Sequence, residues 1–149
     1  MRSLHDTETY TEISERLLKL NQSSKALWGE MNVSQMLHHC QMPFRIALEL
    51  ESVQKPNVIL RIIFRLMKSS GYNDKPWKRN LPTLESFKVT DDKLFDVELE
   101  NLQTLVKQFY ESRDKEKWAP HPFFGTLTPA QWGKMQYKHL DHHLQHFGA

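Results

Sequence analysis

The chain has little of several things that usually identify a protein. Cysteine occurs once, at Cys40, which excludes an internal disulfide framework and fits a reducing compartment. No window approaches the length and apolarity of a membrane span, and the start, Met1-Arg-Ser-Leu-His-Asp6, has no apolar signal core. A cytoplasmic location without stable membrane insertion is therefore expected. Neither sign of charge is in excess: 20 basic and 18 acidic residues leave +2, no electrostatic footprint for nucleic acid. Internal repeats and low-complexity tracts are missing, and period-two alternation is confined to the short Phe87-Lys-Val89. What remains is one domain over residues 1–149, long enough to bury a core without covalent staples.

Helical periodicity fills the space left by these absences, and the class is all-α. Asp6 is placed to cap a first helix that runs to about Leu20, with Tyr10, Ile13, Leu17, Leu18 and Leu20 inward. Asn32 with Gln35 makes a capping box for a second helix reaching about Leu50, which Pro43 should kink rather than end. After Lys55-Pro56-Asn57 comes a short, very apolar helix, Val58 to Lys68, with Arg61, Arg65 and Lys68 on one stripe. Such a helix either touches a membrane surface or, more commonly, packs on a bundle with a solvated basic ridge. Its small polar surface also points to a homodimer. Gly71 to Val89 is a long loop, and the longest helix follows from Asp91 or Asp92 to Lys117, striped by Phe95, Leu99, Leu102, Val106 and Phe109. Thr128-Pro129-Ala-Gln131 combines an N-cap, a proline at the first position and a capping-box glutamine to start the last helix. The forty-residue gap between the second and third long helices is enough for a crossover that lets them run parallel. A four-helix bundle with one long crossover and a short extra helix follows.

Histidines concentrate at the end. Four of the eight lie in the last eleven residues, in the run His139-Leu-Asp-His142-His143-Leu-Gln-His146. On a helix His139 and His143 project about 40° apart, one turn above the other, and can bind one divalent ion without bending the backbone. A third ligand from a facing helix would complete the site. On a helical wheel of the second helix, His39 falls within the apolar arc. His38 falls opposite, with Ser34, Gln41, Arg45 and Glu49, and is expected to face water. The inferred triad is His39, His139 and His143. His146 also points inward and His142 sits at the edge of that face, so the pair His142 and His146 offers the same spacing. Cys40 lies near the centre of the apolar arc and is read as a packing residue.

Trp28-Gly-Glu-Met31, Gln35-Met-Leu-His-His39-Cys40, His121-Pro-Phe-Phe-Gly125-Thr-Leu-Thr128, Trp132 and His139-Leu-Asp-His-His143 together resemble the DinB-like superfamily. They are closest to an uncharacterised bacterial branch carrying Met-Leu-x-His-Cys and His-Pro-x-Phe-Gly motifs. The resemblance implies a four-helix bundle with a long crossover. It also implies a divalent metal, zinc or nickel first, held by His39, His139 and His143. Characterised members of the superfamily include thiol-dependent S-transferases, so the resemblance further implies a small-molecule substrate and a low-molecular-weight thiol co-substrate. His121, Trp132 and His146 are pocket candidates, and the basic residues of Lys75 to Arg79 with Tyr72 and Trp77 are placed to close over an anionic thiol. No His-Glu-x-x-His signature is present, which argues against a zincin-type protease. A metal-dependent transferase or hydrolase is the first expectation; a metal-containing binding or stress-response protein without chemistry of its own is the alternative.

Overall fold

The computed structural model describes residues 1–79 and 87–149. Among them are five α-helices and no strand: α1 (Thr7–Leu18), α2 (Val33–Ala47), α3 (Val58–Leu66), α4 (Phe95–Glu111) and α5 (Pro129–His146). A 3₁₀ turn, Lys68–Gly71, continues α3, and the segment 80–86 of the expected long loop lies outside the described residues.

Local chemistry accounts for the best-defined starts. At α2 the Asn32 side chain accepts from the Gln35 amide while the Gln35 side chain accepts from the Asn32 amide. At α5 Thr128 and Gln131 make the same reciprocal pair around Pro129. Pro43 is accommodated inside α2, as its spacing implied. The helix stops at Ala47, short of Leu50, because Glu49 takes a left-handed φ of 61° and the Leu50 amide turns back to the Arg45 carbonyl. Leu50 is consequently exposed rather than part of the apolar arc. Helix α1 ends at Leu18, and Leu18 is also exposed. Asp6 precedes α1 without a side-chain cap bond; its carboxylate accepts from the Ser3 amide instead. Helix α4 starts at Phe95 and ends at Glu111, holding the whole apolar stripe but shorter at both ends than the expected span from Asp91 or Asp92 to Lys117. Past that point the chain doubles back, with Trp118 Nε1 donating to the Lys115 carbonyl and its ring packing 5.1 Å from Phe109.

Cross-helix contacts fix the directions. Gln35 donates to the Asp91 carbonyl, Gln41 to Glu98, and Lys115 to Glu49, so residue numbers rise together and α2 and α4 are parallel. Gln136 donates to the Pro43 carbonyl while His39 meets His139, which makes α2 and α5 antiparallel. Arg16 donates to Asp141 and the Leu4 amide to the Gly133 carbonyl, placing α1 parallel to α5. The four longer helices pack in the closed order α1, α4, α2, α5. Their core holds Ile13, Leu17, Met36, Leu37, Cys40, Phe44, Leu102, Phe109, Trp132, Leu140 and Leu144.

Two expectations fail, each through a partner distant in sequence. Helix α3 does not pack its apolar side on the bundle: none of its residues is buried, and Ile59 and Leu66 are 72% and 80% exposed. Its basic side leans on the protein instead, with Lys68 donating to the Thr126 carbonyl and Phe64 seated against Phe123. His38 turns only partly to water, with 35% of its side chain exposed. Its Nδ1 donates to Glu98 Oε2 at 2.9 Å, and the adjoining Ser34 and Gln41 are buried. Helix α2 is covered on two sides, by α4 as well as α5, and a wheel of one helix cannot reveal a polar patch satisfied by a buried carboxylate on another.

Candidate metal centre

Helix α2 delivers His39, and α5, running the opposite way, delivers His139 and His143 one turn apart. A ligand-capable atom from each falls within 4.8 Å of the other two. The rings are mutually packed, with centroids 5.2 Å apart for His39–His139, 4.8 Å for His39–His143 and 4.7 Å for His139–His143. Among the described residues no carboxylate or thiol belongs to this group.

His39 is oriented from behind. Its Nδ1 donates to the Phe87 carbonyl at 3.0 Å, so the neutral ring carries its lone pair on Nε2, which points at His139 Nε2 across 3.3 Å. Two nitrogens bound tetrahedrally to one zinc at about 2.0–2.1 Å would stand about 3.3–3.4 Å apart. The separation therefore suits a shared ion as well as a shared proton. His139 Nδ1 and His143 Nδ1 are buried without a hydrogen-bond partner. Leaving such nitrogens unsatisfied costs about 1–3 kcal/mol each, and an ion held at His139 Nε2 would not relieve His139 Nδ1.

Electrostatics keep the donors free. Burial lowers the pKa of His39, and burial together with the neighbouring imidazoles lowers those of His139 and His143 well below the ordinary histidine range. All three rings are neutral at pH 7, the form that binds a metal. The residues present thus fit a divalent cation.

The second histidine pair is placed differently. His146 is buried, but its ring stacks on Trp28 at 4.9 Å and lies 6.3 Å from His143, outside the ligand group. Gly29, at φ 78°, makes that stacking possible, because a Cβ there would stand 2.9 Å from His146 Cε1. His142 is half-buried and packs edge-on to Trp77, which also meets His139 at 6.0 Å. Trp77 is held by its own Nε1 bond to the Ser70 carbonyl. Lys138, buried on α5, clamps the same stretch by donating to the carbonyls of Ser70 and Asn73 and to Asn73 Oδ1. Arg79 lies 4.4 Å over Trp28. The stretch up to Arg79 therefore forms an aromatic wall beside the histidines. Sequence reasoning grouped Trp77 with the loop but missed Lys138, because no periodicity signals a lysine satisfied by loop carbonyls.

His121 and Trp132 are both packed inside the fold. Trp132 is wholly buried between Trp118 and His121. His121 is buried, and its Nδ1 accepts from the amides of Phe123 and Phe124 inside a turn closed by paired bonds between His121 and Gly125. Burial pushes its pKa down to about 4. Cys40 is fully buried in the core, and burial pushes its thiol pKa far up, which leaves it un-ionised. A small cavity of about 110 Å³ lies beside His39, lined also by His38, Met42, Phe87 and Asp91.

Fold and site thus define an all-helical protein with three converging neutral histidines. The whole chain, residues 1–149, matches the family described as Protein of unknown function (DUF1569), and the protein belongs to that family. Comparison with curated proteins and with solved structures gives no match.

Proposed function

We propose that the protein is a metal-binding helical bundle of the DinB-like type, with His39, His139 and His143 as the protein ligands of one divalent ion. The observation that carries this reading is the facing pair of nitrogens, His39 Nε2 and His139 Nε2, 3.3 Å apart, with His143 beside them. Zinc and nickel are the preferred ions, since neutral imidazole suits both. Three protein ligands leave a coordination position open, and a bound divalent ion would supply the charge that lowers the pKa of water or of a thiol. The chain's own contribution is orientation and exclusion of solvent. Phe87 fixes the His39 tautomer through its carbonyl, and Trp77 packs against His139 while Lys138 anchors the stretch that carries it.

Metal-dependent transfer or hydrolysis on a small electrophile, with a low-molecular-weight thiol as co-substrate, is the activity this arrangement supports. It suits a ligand group without a carboxylate base, because an activated thiol is itself the nucleophile. Elemental analysis of protein produced without a tag tests the site: close to one equivalent of a transition metal is expected, and His39→Ala should lose it. Less than about a tenth of an equivalent, with melting unmoved by added zinc, would end the proposal. Turnover of an electrophile panel with a small thiol, abolished by chelation, tests the chemistry separately.

A further inference from the structure

A strap of chain, Ser70 to Arg79, crosses the face of α5 that carries the histidines. It meets α5 first at Lys138, then at His139 and His142 through Trp77, and ends with Arg79 over Trp28, which itself stacks on His146. From residue 138 to residue 146 that is about 12 Å along the helix. The two halves of the strap are held differently. At its start Lys138 donates to the carbonyls of Ser70 and Asn73 and to Asn73 Oδ1. Beyond Asp74 the hold is by rings alone. Among the described residues, Lys75 to Arg79 form no hydrogen bond outside the strap; the Lys75 amide donates to Asn73 Oδ1 and Trp77 Nε1 to the Ser70 carbonyl, both within it. Lys75, Pro76, Lys78 and Arg79 are exposed, and Trp77 is half-buried. The one residue of this half that turns into the protein thus turns onto the histidines.

We propose that the strap is a gate on the histidine centre: Lys75 to Arg79 swing out from the pinned Asn73 to admit an ion, and Trp77 closes the way behind it. This rests on the metal-binding reading above. The other described walls cannot serve. Helices α2 and α5 are fixed by the buried core between them, and Phe87 is bonded to His39 through its carbonyl. A segment with few hydrogen bonds to its surroundings opens first, and an exposed cation–ring contact such as Arg79 on Trp28 is among the weaker ones to break. Lys138 supplies the hinge, because its three bonds hold Ser70 and Asn73 in place while the far half moves and so return Trp77 to the same rings. A gate has a kinetic signature. Trp77 touches carbon edges of the site and packs there with or without an ion, so removing it speeds capture and release alike and leaves their ratio, Kd, unchanged. A residue that merely positioned His139 would speed release alone and weaken Kd.

Stopped-flow kinetics on the full chain, with zinc alone as the probe, tests this. Capture is followed on mixing the protein with zinc, and release on mixing zinc-loaded protein with an excess of a chromogenic chelator. Trp77→Ala should speed both by about tenfold or more, with Kd unchanged. Arg79→Gln alters an exposed position and should fold, as circular dichroism will show. It should speed both steps by a smaller, equal factor, and it decides the matter if Trp77→Ala does not fold. Rates equal to wild type in the folded variants would overturn the gate, and so would faster release alone with a weakened Kd. A wild type that binds no zinc would end the metal-binding reading and the gate with it, whereas zinc bound at unaltered rates would end the gate alone.

Discussion

Replacing His38 and His39 by alanine, one at a time, separates a structural histidine from a ligand only one residue away. His38→Ala removes the bond to Glu98, whose buried carboxylate keeps the Gln41 amide at 2.6 Å as its remaining described partner. Depriving a buried charged acceptor of one of two donors costs about 1–3 kcal/mol, more than an exposed substitution would. That cost should be the same with zinc or with chelator, since His38 Nδ1 is committed to α4. His39→Ala also removes a bond, to the Phe87 carbonyl, but its distinguishing effect is on the zinc increment. At a free zinc concentration of about 100 times Kd, the wild type gains about 2.7 kcal/mol from binding. Loss of an outer-shell partner alone weakens metal sites by about 10–100-fold, so loss of a ligand should cost at least about 100-fold. The increment in His39→Ala then falls to about 0.4 kcal/mol or less at the same zinc concentration. Urea unfolding followed by circular dichroism, with zinc and with chelator, measures both quantities. An undiminished zinc increment in His39→Ala, or its loss in His38→Ala alone, would refute the assignment.

Other consequences are as direct. His121 has a pKa near 4 when folded against 6.5 when exposed. Because the folded value is depressed, stability is intact above about pH 6.5 and declines as pH falls toward 4, by about 3 kcal/mol in all. Relative to a His121→Gln variant, the wild type should lose that much more between pH 7 and pH 4 in chemical denaturation; equal losses would mean that His121 protonates freely in the fold. Gly29→Ala places a Cβ at φ 78° and 2.9 Å from His146 Cε1, so a loss of about 1–3 kcal/mol in urea unfolding is expected, and an unchanged midpoint would contradict the close packing of Trp28 on His146.

Where chemistry is local, the sequence was sufficient. The capping boxes at Asn32 and Thr128 set the starts of α2 and α5 because their bonds span only three residues. The four-residue spacing of His139 and His143, and the phase of His39 relative to the apolar side of α2, were likewise legible, since both follow from 3.6 residues per turn. Even the parallel course of α2 and α4 followed from the length of chain between them. Tertiary structure decided the rest. Helix ends at Ala47 and Glu111 depend on a left-handed Glu49 and on Trp118 folding back onto Phe109, events that periodicity does not encode. His38 looked solvent-facing because polar residues usually are, and Lys138 carried no signal of a partner at all. One is taken up by Glu98 on α4 and the other by carbonyls of Ser70 and Asn73, groups 60 and 65–68 residues distant in sequence. Helix α3 shows the opposite case: its apolar arc is plain in the sequence, but which way the arc turns is settled by where Phe64 and Lys68 find partners on the His121–Thr128 loop. Burial is a property of neighbours, and a single chain names its neighbours only once it has folded.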